Sequence, residues 1–279
     1  MTTFITAPLI TLCILPLVAT MILAGAIRFF GGRNSDDRLV SASAGVGILW
    51  VAVLVVGIPG FPPAKGEDPL ALVLLAGLLL GSLVDQFIPT SQGQSRPRDT
   101  VLDFAFAIGA VAWVRSEFDL WSLAIFVAWG TLQIRTRRHI VRTTIPATMM
   151  LLSAVGLTIV AWTGNTLSEQ DLTLGVLSTT LGLCVWLSFN RSLPLGFGYL
   201  WGGFTVQLLI ALRMVETNLA FAAPIAILGF IFFADTAAEG LVAWKPALKH
   251  LQGPIMIGVV SIFPIILATV ISTALSQLA

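Results

Sequence analysis

Residues 69–89 read PLALVLLAGLLLGSLVDQFIP, a run that is apolar throughout except near its end. Its only charged residue is Asp85. A helix rises about 1.5 Å per residue and the hydrocarbon core of a bilayer is about 30 Å thick, so about twenty such residues cross it. The run therefore predicts a membrane-spanning helix that carries one carboxylate close to its end.

The composition of the whole chain agrees with this prediction. Of its 279 residues, 57% are hydrophobic and 10% are charged, whereas soluble domains carry about 25% charged residues. This excludes a soluble enzyme domain, a secreted disulfide scaffold and a disordered chain. A net charge of +1 without a basic tail also excludes a nucleic-acid binder, since binding to nucleic acid depends on many cations. We expect an all-α polytopic membrane protein whose partner is the lipid bilayer.

The same pattern recurs along the chain and predicts about ten transmembrane helices in one domain, residues 1–279. The fourth and fifth candidates are short and need not cross fully. The predicted spans are residues 5–30, 39–59, 69–89, 100–114, 120–135, 145–163, 172–189, 195–213, 218–238 and 252–277.

The cationic residues predict the orientation of these helices. With both termini on the outer side, twelve of the fifteen Lys and Arg residues fall in cytoplasmic loops, as expected from the enrichment of Lys and Arg on the cytoplasmic side. The densest such loop, residues 135–142, contains four arginines. We therefore expect a multi-pass protein of the cell inner (cytoplasmic) membrane with both termini outside.

Four carboxylates, Asp85, Asp103, Asp235 and Glu239, lie inside or at the ends of predicted spans, near the cytoplasmic face. Ionisable residues at membrane depth are costly and often functional. One interpretation is a site that holds Mg²⁺ for a phosphorylated substrate, since Mg²⁺ prefers oxygen ligands. The other is structural: each carboxylate reaches water or pairs with a nearby arginine. The residues alone leave both interpretations open.

Several short motifs resemble those of one enzyme superfamily. They are LLGSLVDQ at 79–86, LSFN at 187–190, FGYLWG at 197–202 and FFADT at 232–236. Their order and spacing are similar to those of the polyprenyl-phosphate N-acetylhexosamine-1-phosphate transferases. That superfamily includes phospho-N-acetylmuramoyl-pentapeptide transferase, which also has ten spans and both termini outside.

The resemblance implies a function and a set of site residues. These enzymes transfer a sugar-1-phosphate from a UDP-sugar to polyprenyl phosphate for envelope polysaccharide synthesis, and they require Mg²⁺. By position in the motifs, Asp85 and Asp235 would be catalytic, and Asp85 would also be a metal ligand. Asn190 would support substrate binding, and His250 would correspond to a cytoplasmic histidine before the last helix.

The chain departs from the family pattern at its acidic positions. Gln86 replaces the second acid of the Asp-Asp pair, Tyr199 replaces an aspartate that binds metal, and residues 131–139 contain no acid. We expect Asp85 to face Arg135, Arg137 and Arg138 instead. Arginines repel Mg²⁺, whereas their guanidinium groups match phosphate oxygens.

These departures predict a catalytically degenerate relative that binds a lipid phosphate or a partner protein. The lipid would be polyprenyl phosphate or another anionic lipid. Two alternatives remain open: an active Mg²⁺-dependent glycosyl-1-phosphate transferase, and a small-solute transporter of ten helices. Such carriers are built from inverted repeats, but no repeat is visible here. The sequence does not determine the oligomeric state.

Overall fold

The computed structural model describes residues 10–30, 38–58, 60, 69–87, 97–114, 120–137, 144–189, 195–245 and 253–277. These residues form helices, turns and short links, and no strand occurs among them. The continuous helices are α1 (Ile10–Phe30), α2 (Arg38–Val56), α3 (Leu70–Phe87), α4 (Pro97–Val114), α5 (Leu120–Arg137), α6 (Thr144–Thr163), α7 (Leu167–Phe189), α8 (Phe197–Thr217), α9 (Leu219–Trp244) and α10 (Pro254–Ser276).

Within the described ranges, eight of these helices are long and apolar enough to cross a bilayer, namely all except α4 and α5. The first turns of α4 contain Arg98, Asp99 and Asp103, and α5 ends in a polar segment with Arg135. This difference agrees with the expectation that the fourth and fifth spans are marginal. The chain is an all-α, multi-pass membrane protein.

The helices pack around α6 and α7. Helix α7 lies along α6, α2 and α1, while α10 packs against α6 and α9. Helix α3 lies between α2 and the first turns of α8, and the α4–α5 pair joins the bundle mainly where α5 contacts α9 and α4 contacts α3. The start of α8 is therefore surrounded by other helices.

Helix α10 shows that the bundle is apolar on its outside. Its exposed side chains recur at Ile255, Val259, Phe263, Ile266 and Val270, which form one stripe at helical spacing. The opposite side is buried and contains small or polar residues such as Ser261, Ala268 and Ser272. Hydrocarbon outside and small residues between the helices is the arrangement expected in a lipid environment.

Besides α1, whose start Ile10–Ile14 is π-helical, two of the described helices depart from regular α geometry at internal positions. Helix α8 contains a π-helical turn at Leu200–Phe204, and α9 contains a 3₁₀ stretch at Gly229–Phe233 before it resumes as α-helix at Ala234. Such irregular turns inside helices often mark functional positions. Both lie at the predicted site motifs, FGYLWG and FFADT.

The predicted span limits are close to the observed ones, with two differences. Helix α7 begins at Leu167, five residues before the predicted start, and α9 continues to Trp244, beyond residue 238. The polar start of α7 is helical because Glu169 is in its first turn, which favours acidic residues, and pairs with Arg213 of α8 at 3.8 Å.

Substitution of Gly81 by alanine tests the close contact of α3 with α8. A Cβ at Gly81 would lie 2.6 Å from the backbone N and Cα of Gly198, so the backbones must separate. We expect a loss of about 1–3 kcal/mol of stability, as for overpacked cores. Gly258→Ala in α10 is the control because a Cβ there meets nothing within 4 Å. Thermal unfolding in detergent gives the comparison, and equal melting temperatures for the two variants would contradict the assigned contact.

Candidate functional site

The start of α8 is bonded to side chains of two neighbouring helices. The backbone N–H of Gly196 donates to Ser41 Oγ on α2 at 2.8 Å, and the N–H of Gly198 donates to Asp85 Oδ2 on α3 at 3.1 Å. The first N–H groups of a helix have no partner within the helix, and α8 has no cap from its own N-terminal side chain. Asp85 therefore acts as a cap supplied by another helix, where its negative charge is also stabilised by the helix dipole.

Asp85 also pairs with an arginine that the sequence analysis did not select for the site. Arg38 Nη1 lies 3.7 Å from Asp85 Oδ1, and the two side chains are 10% and 0% exposed. A Cβ at Gly196 would lie 2.3 Å from Asp85 Oδ2 and 2.8 Å from the carbonyl oxygen of Arg38. A glycine at position 196 thus allows the carboxylate to approach the helix start.

Asp103 forms a second polar junction next to the first. Its Oδ1 accepts hydrogen bonds from Trp201 Nε1 of α8 at 2.7 Å and from Gln133 Nε2 of α5 at 3.2 Å. Trp201 in turn stacks on Phe106 of α4, with ring centroids 4.8 Å apart. Asp103, Gln133 and Trp201 are all buried, so this junction ties α4, α5 and α8 together inside the bundle.

Arg135 and Asp235 form the shortest ion pair in the described part of the chain. Arg135 Nη2 lies 2.7 Å from Asp235 Oδ1, with side chains 17% and 7% exposed. The guanidinium also donates to Thr236 Oγ1 and to the carbonyl oxygen of Phe232 at 3.4 Å, and it lies 5.2 Å from the ring centroid of Phe233. Every one of these contacts is on α9, so Arg135 fixes the end of α5 to the irregular part of α9.

These junctions lie at the same end of the bundle, because the start of α8 meets the end of α3, the start of α4 and, through Asp103, the end of α5. The pair Arg213–Glu169 lies at the opposite end. We call the charged residues of these junctions the polar cluster. Its members are Arg38, Asp85, Asp103, Arg135 and Asp235.

The structure brings two predicted site residues together and separates another pair. Arg135 and Asp235 are in direct contact. The expectation that Asp85 faces Arg135 is wrong, because the guanidinium of Arg135 is held by α9 while Asp85 points to Arg38 and the start of α8. Arg137 is the last residue of α5, and nothing is described of its side chain. Arg138, Asn190 and His250 lie outside the described residues.

The surroundings of the two carboxylates do not suit Mg²⁺. Asp85 has Arg38 within 4 Å and accepts a backbone N–H, while Asp235 bonds to Arg135. The arginine beside each carboxylate repels a metal cation, and the N–H donors occupy carboxylate oxygens that a metal ion would need as ligands. Among the described residues, no group of three or more His, Cys, Asp and Glu side chains is placed to hold a metal ion.

A cavity of about 440 Å³ lies between α5, α6, α8 and α9 and is partly open to the surface of the bundle. Its walls are mostly apolar and include Phe204, Phe232 and the exposed Phe230. Thr131 of α5 also lines it, and Arg135 follows Thr131 by one helical turn. The cavity therefore combines hydrocarbon walls with a guanidinium close to one end, at the same end of the bundle as the polar cluster.

Sequence reasoning missed Arg38, Gln133 and Trp201. The signal for Gln133 was an amide in the polar segment at the end of α5, a type of residue that forms interhelical hydrogen bonds. The signal for Arg38 was a cation at the first position of α2, next to the membrane end where Asp85 was expected. Trp201 had no separate signal, because tryptophan near a helix end is common at membrane interfaces.

No known family model matches this chain, and no curated protein matches it in sequence. The resemblance to the transferases therefore depends on the motifs around Asp85 and Asp235.

Asp85→Asn tests whether Asp85 serves as a cap and counter-charge. The substitution removes the negative charge that lies 3.7 Å from Arg38 and weakens the bond to the start of α8, so we expect a loss of about 3–5 kcal/mol, as when a buried pair is broken. Melting in the presence of EDTA measures this loss. Wild-type protein should melt at the same temperature with EDTA or Mg²⁺. Stabilisation by Mg²⁺ that disappears in the variant would instead indicate a metal site.

Proposed function

We propose that this protein is a catalytically degenerate relative of the polyprenyl-phosphate sugar-1-phosphate transferases that binds the phosphate head group of a membrane lipid. The observation that carries the proposal is the bilayer-facing cavity with Arg135 one helical turn beyond its wall. A hydrocarbon chain suits the apolar walls, and a phosphate suits the guanidinium.

The size and position of the cavity support a lipid as its occupant. A volume of about 440 Å³ is within the range of about 300–1,000 Å³ that is usual for small-molecule sites. Its opening lies between helices on the bilayer-facing surface, where Phe230 is 65% and Phe233 is 41% exposed. A lipid chain can enter from the side without crossing water, whereas a polar solute has no matching group along most of the wall.

The arginine contacts of Asp85 and Asp235 support a loss of metal-dependent catalysis. Phosphoryl transfer relies on electrostatic clamping by metal ions and cationic groups. Asp85 and Asp235 are each neutralised by an arginine within the protein, which makes them counter-charges and structural contacts. Mg²⁺ belongs only to the alternative in which the chain is an active transferase. Arg137, Arg138, Asn190 and His250 remain proposed contacts for the lipid phosphate.

Arg135→Gln tests the proposal. Because the substitution removes the charge but keeps a hydrogen-bonding amide, we expect retention of anionic lipid by the purified protein to fall at least about tenfold, the equivalent of one charge-assisted hydrogen bond. Native mass spectrometry of detergent-released protein gives the measurement. The matched control is Arg213→Gln, which alters an ion-paired arginine at the other end of α8 and should leave retention unchanged.

Two results would contradict this proposal. One is equal lipid retention in wild-type protein and Arg135→Gln while both remain folded. The other is release of UMP from a UDP-sugar in the presence of undecaprenyl phosphate, which would establish the active transferase.

We also propose that all ten helices cross the inner membrane, with both termini on the outer side. The placement of Arg38 and Arg135 at one end and Arg213 at the other is compatible with the arginine bias of the loops. A reporter enzyme that functions only outside the cytoplasm should be active when it is fused to either terminus. Activity of both fusions in the cytoplasm would contradict this orientation and favour a carrier of the drug/metabolite type.

A further inference from the structure

Arg135 commits three of its N–H donors to one short segment of α9. Nη2 donates to Asp235 and Thr236, and Nε donates to the carbonyl oxygen of Phe232. A guanidinium has five N–H donors, so the two on Nη1 have no bond to any residue in the described part of the chain. Arg135 therefore has donors for a further anion while one side of its guanidinium is occupied by Asp235.

The segment held by Arg135 is also a wall of the cavity. The 3₁₀ stretch Gly229–Phe233 ends where Ala234 resumes the α-helix, and Phe233 at this junction has non-helical φ and ψ of −110° and 6°. Phe230, Phe232 and Phe233 line the cavity. The contact that neutralises Arg135 thus also sets the position of the cavity wall.

A phosphate that reaches Arg135 must approach the carboxylate of Asp235. That carboxylate lies 2.7 Å from Nη2 and its side chain is only 7% exposed, so water screens it weakly. Two anions on one guanidinium repel each other, and at a separation of about 4 Å the repulsion lowers anion affinity by about tenfold even with substantial screening. An anion that binds to Arg135 must therefore displace Asp235. Otherwise the carboxylate of Asp235 lowers the affinity of Arg135 for that anion.

We propose that Asp235 is an internal competitor for Arg135 and lowers the affinity of the protein for every anionic lipid head group. This inference rests on the proposed lipid-binding function and adds a regulation to it. A phosphate monoester carries a charge of about −1.5 to −2 at pH 7, so it binds the guanidinium more strongly than a phosphodiester, which carries one charge. Because both kinds of head group must displace the same carboxylate, Asp235 lowers both affinities and leaves the order between them unchanged.

Asp235→Asn tests this competition with two lipids that have identical acyl chains. Phosphatidic acid is the monoester and phosphatidylglycerol is the diester, and native mass spectrometry of protein from mixed nanodiscs measures the retention of each lipid against phosphatidylcholine. We expect wild-type protein to retain phosphatidic acid more than phosphatidylglycerol. In the variant, retention of both anionic lipids should rise about tenfold, and the ratio between them should be largely unchanged.

Glu239→Gln is the matched control. Glu239 is on α9, one helical turn beyond Asp235, and it is exposed. Its substitution removes the same charge from the same helix without altering the contact to Arg135. An equal gain of phosphatidylglycerol in both variants would overturn the proposal, because it would reflect the overall charge of that face. No gain in folded Asp235→Asn would also overturn it.

A measurement on wild-type protein keeps the proposal testable if Asp235→Asn does not fold. Displacement of Asp235 by phosphatidic acid should loosen α9 and accelerate amide hydrogen exchange over residues 229–236, whereas phosphatidylcholine should not. Unchanged exchange with phosphatidic acid bound would overturn the proposal. If wild-type protein retains neither anionic lipid above phosphatidylcholine, the lipid-binding function itself fails. If it retains phosphatidic acid but Asp235→Asn behaves identically, only the competition inference fails.

Discussion

A charged side chain within a membrane bundle requires an opposite charge or hydrogen-bonding partners from the protein itself. The polar cluster follows this constraint: Asp85 is matched by Arg38 and the start of α8, and Asp235 is matched by Arg135. Each pair joins different helices, so neutralising the charges also fixes where the helices meet. The irregular geometry of α8 and α9 is found next to these contacts.

The same constraint determines how well Asp85 and Asp235 suit a metal ion. Carboxylates bind Mg²⁺ when their remaining neighbours are oxygens, water or phosphate. Among the residues that the structure describes, the groups that pair with or donate to Asp85 and Asp235 are guanidinium and N–H groups. The apolar cavity beside Arg135 suits lipid binding, for which a cation is needed and a metal is not. The proposed competition by Asp235 follows from the same geometry, since an internal counter-charge is displaced by any ligand of greater charge.

The fold could be predicted largely from the sequence, because a run such as residues 69–89 has few alternatives in a bilayer. The marginal character of α4 was visible from Asp99 and Asp103 near its start. The pairing of the charges was not predictable in the same way. Residues on different helices meet according to helix rotation and packing, which are set by details such as the contact of Gly81 with Gly198. Hence Asp85 was assigned to Arg135 although its partner is Arg38.

The most direct test of the central claim, that Asp85 and Asp235 serve as counter-charges to arginines, is a double-mutant cycle on Arg135→Gln and Asp235→Asn followed by thermal unfolding. Each single variant removes one charge of this pair and keeps the other, whereas the double variant removes both. We predict that the double variant is more stable than the sum of the two single losses implies, with a coupling of at least about 1 kcal/mol. Additive losses would contradict the account.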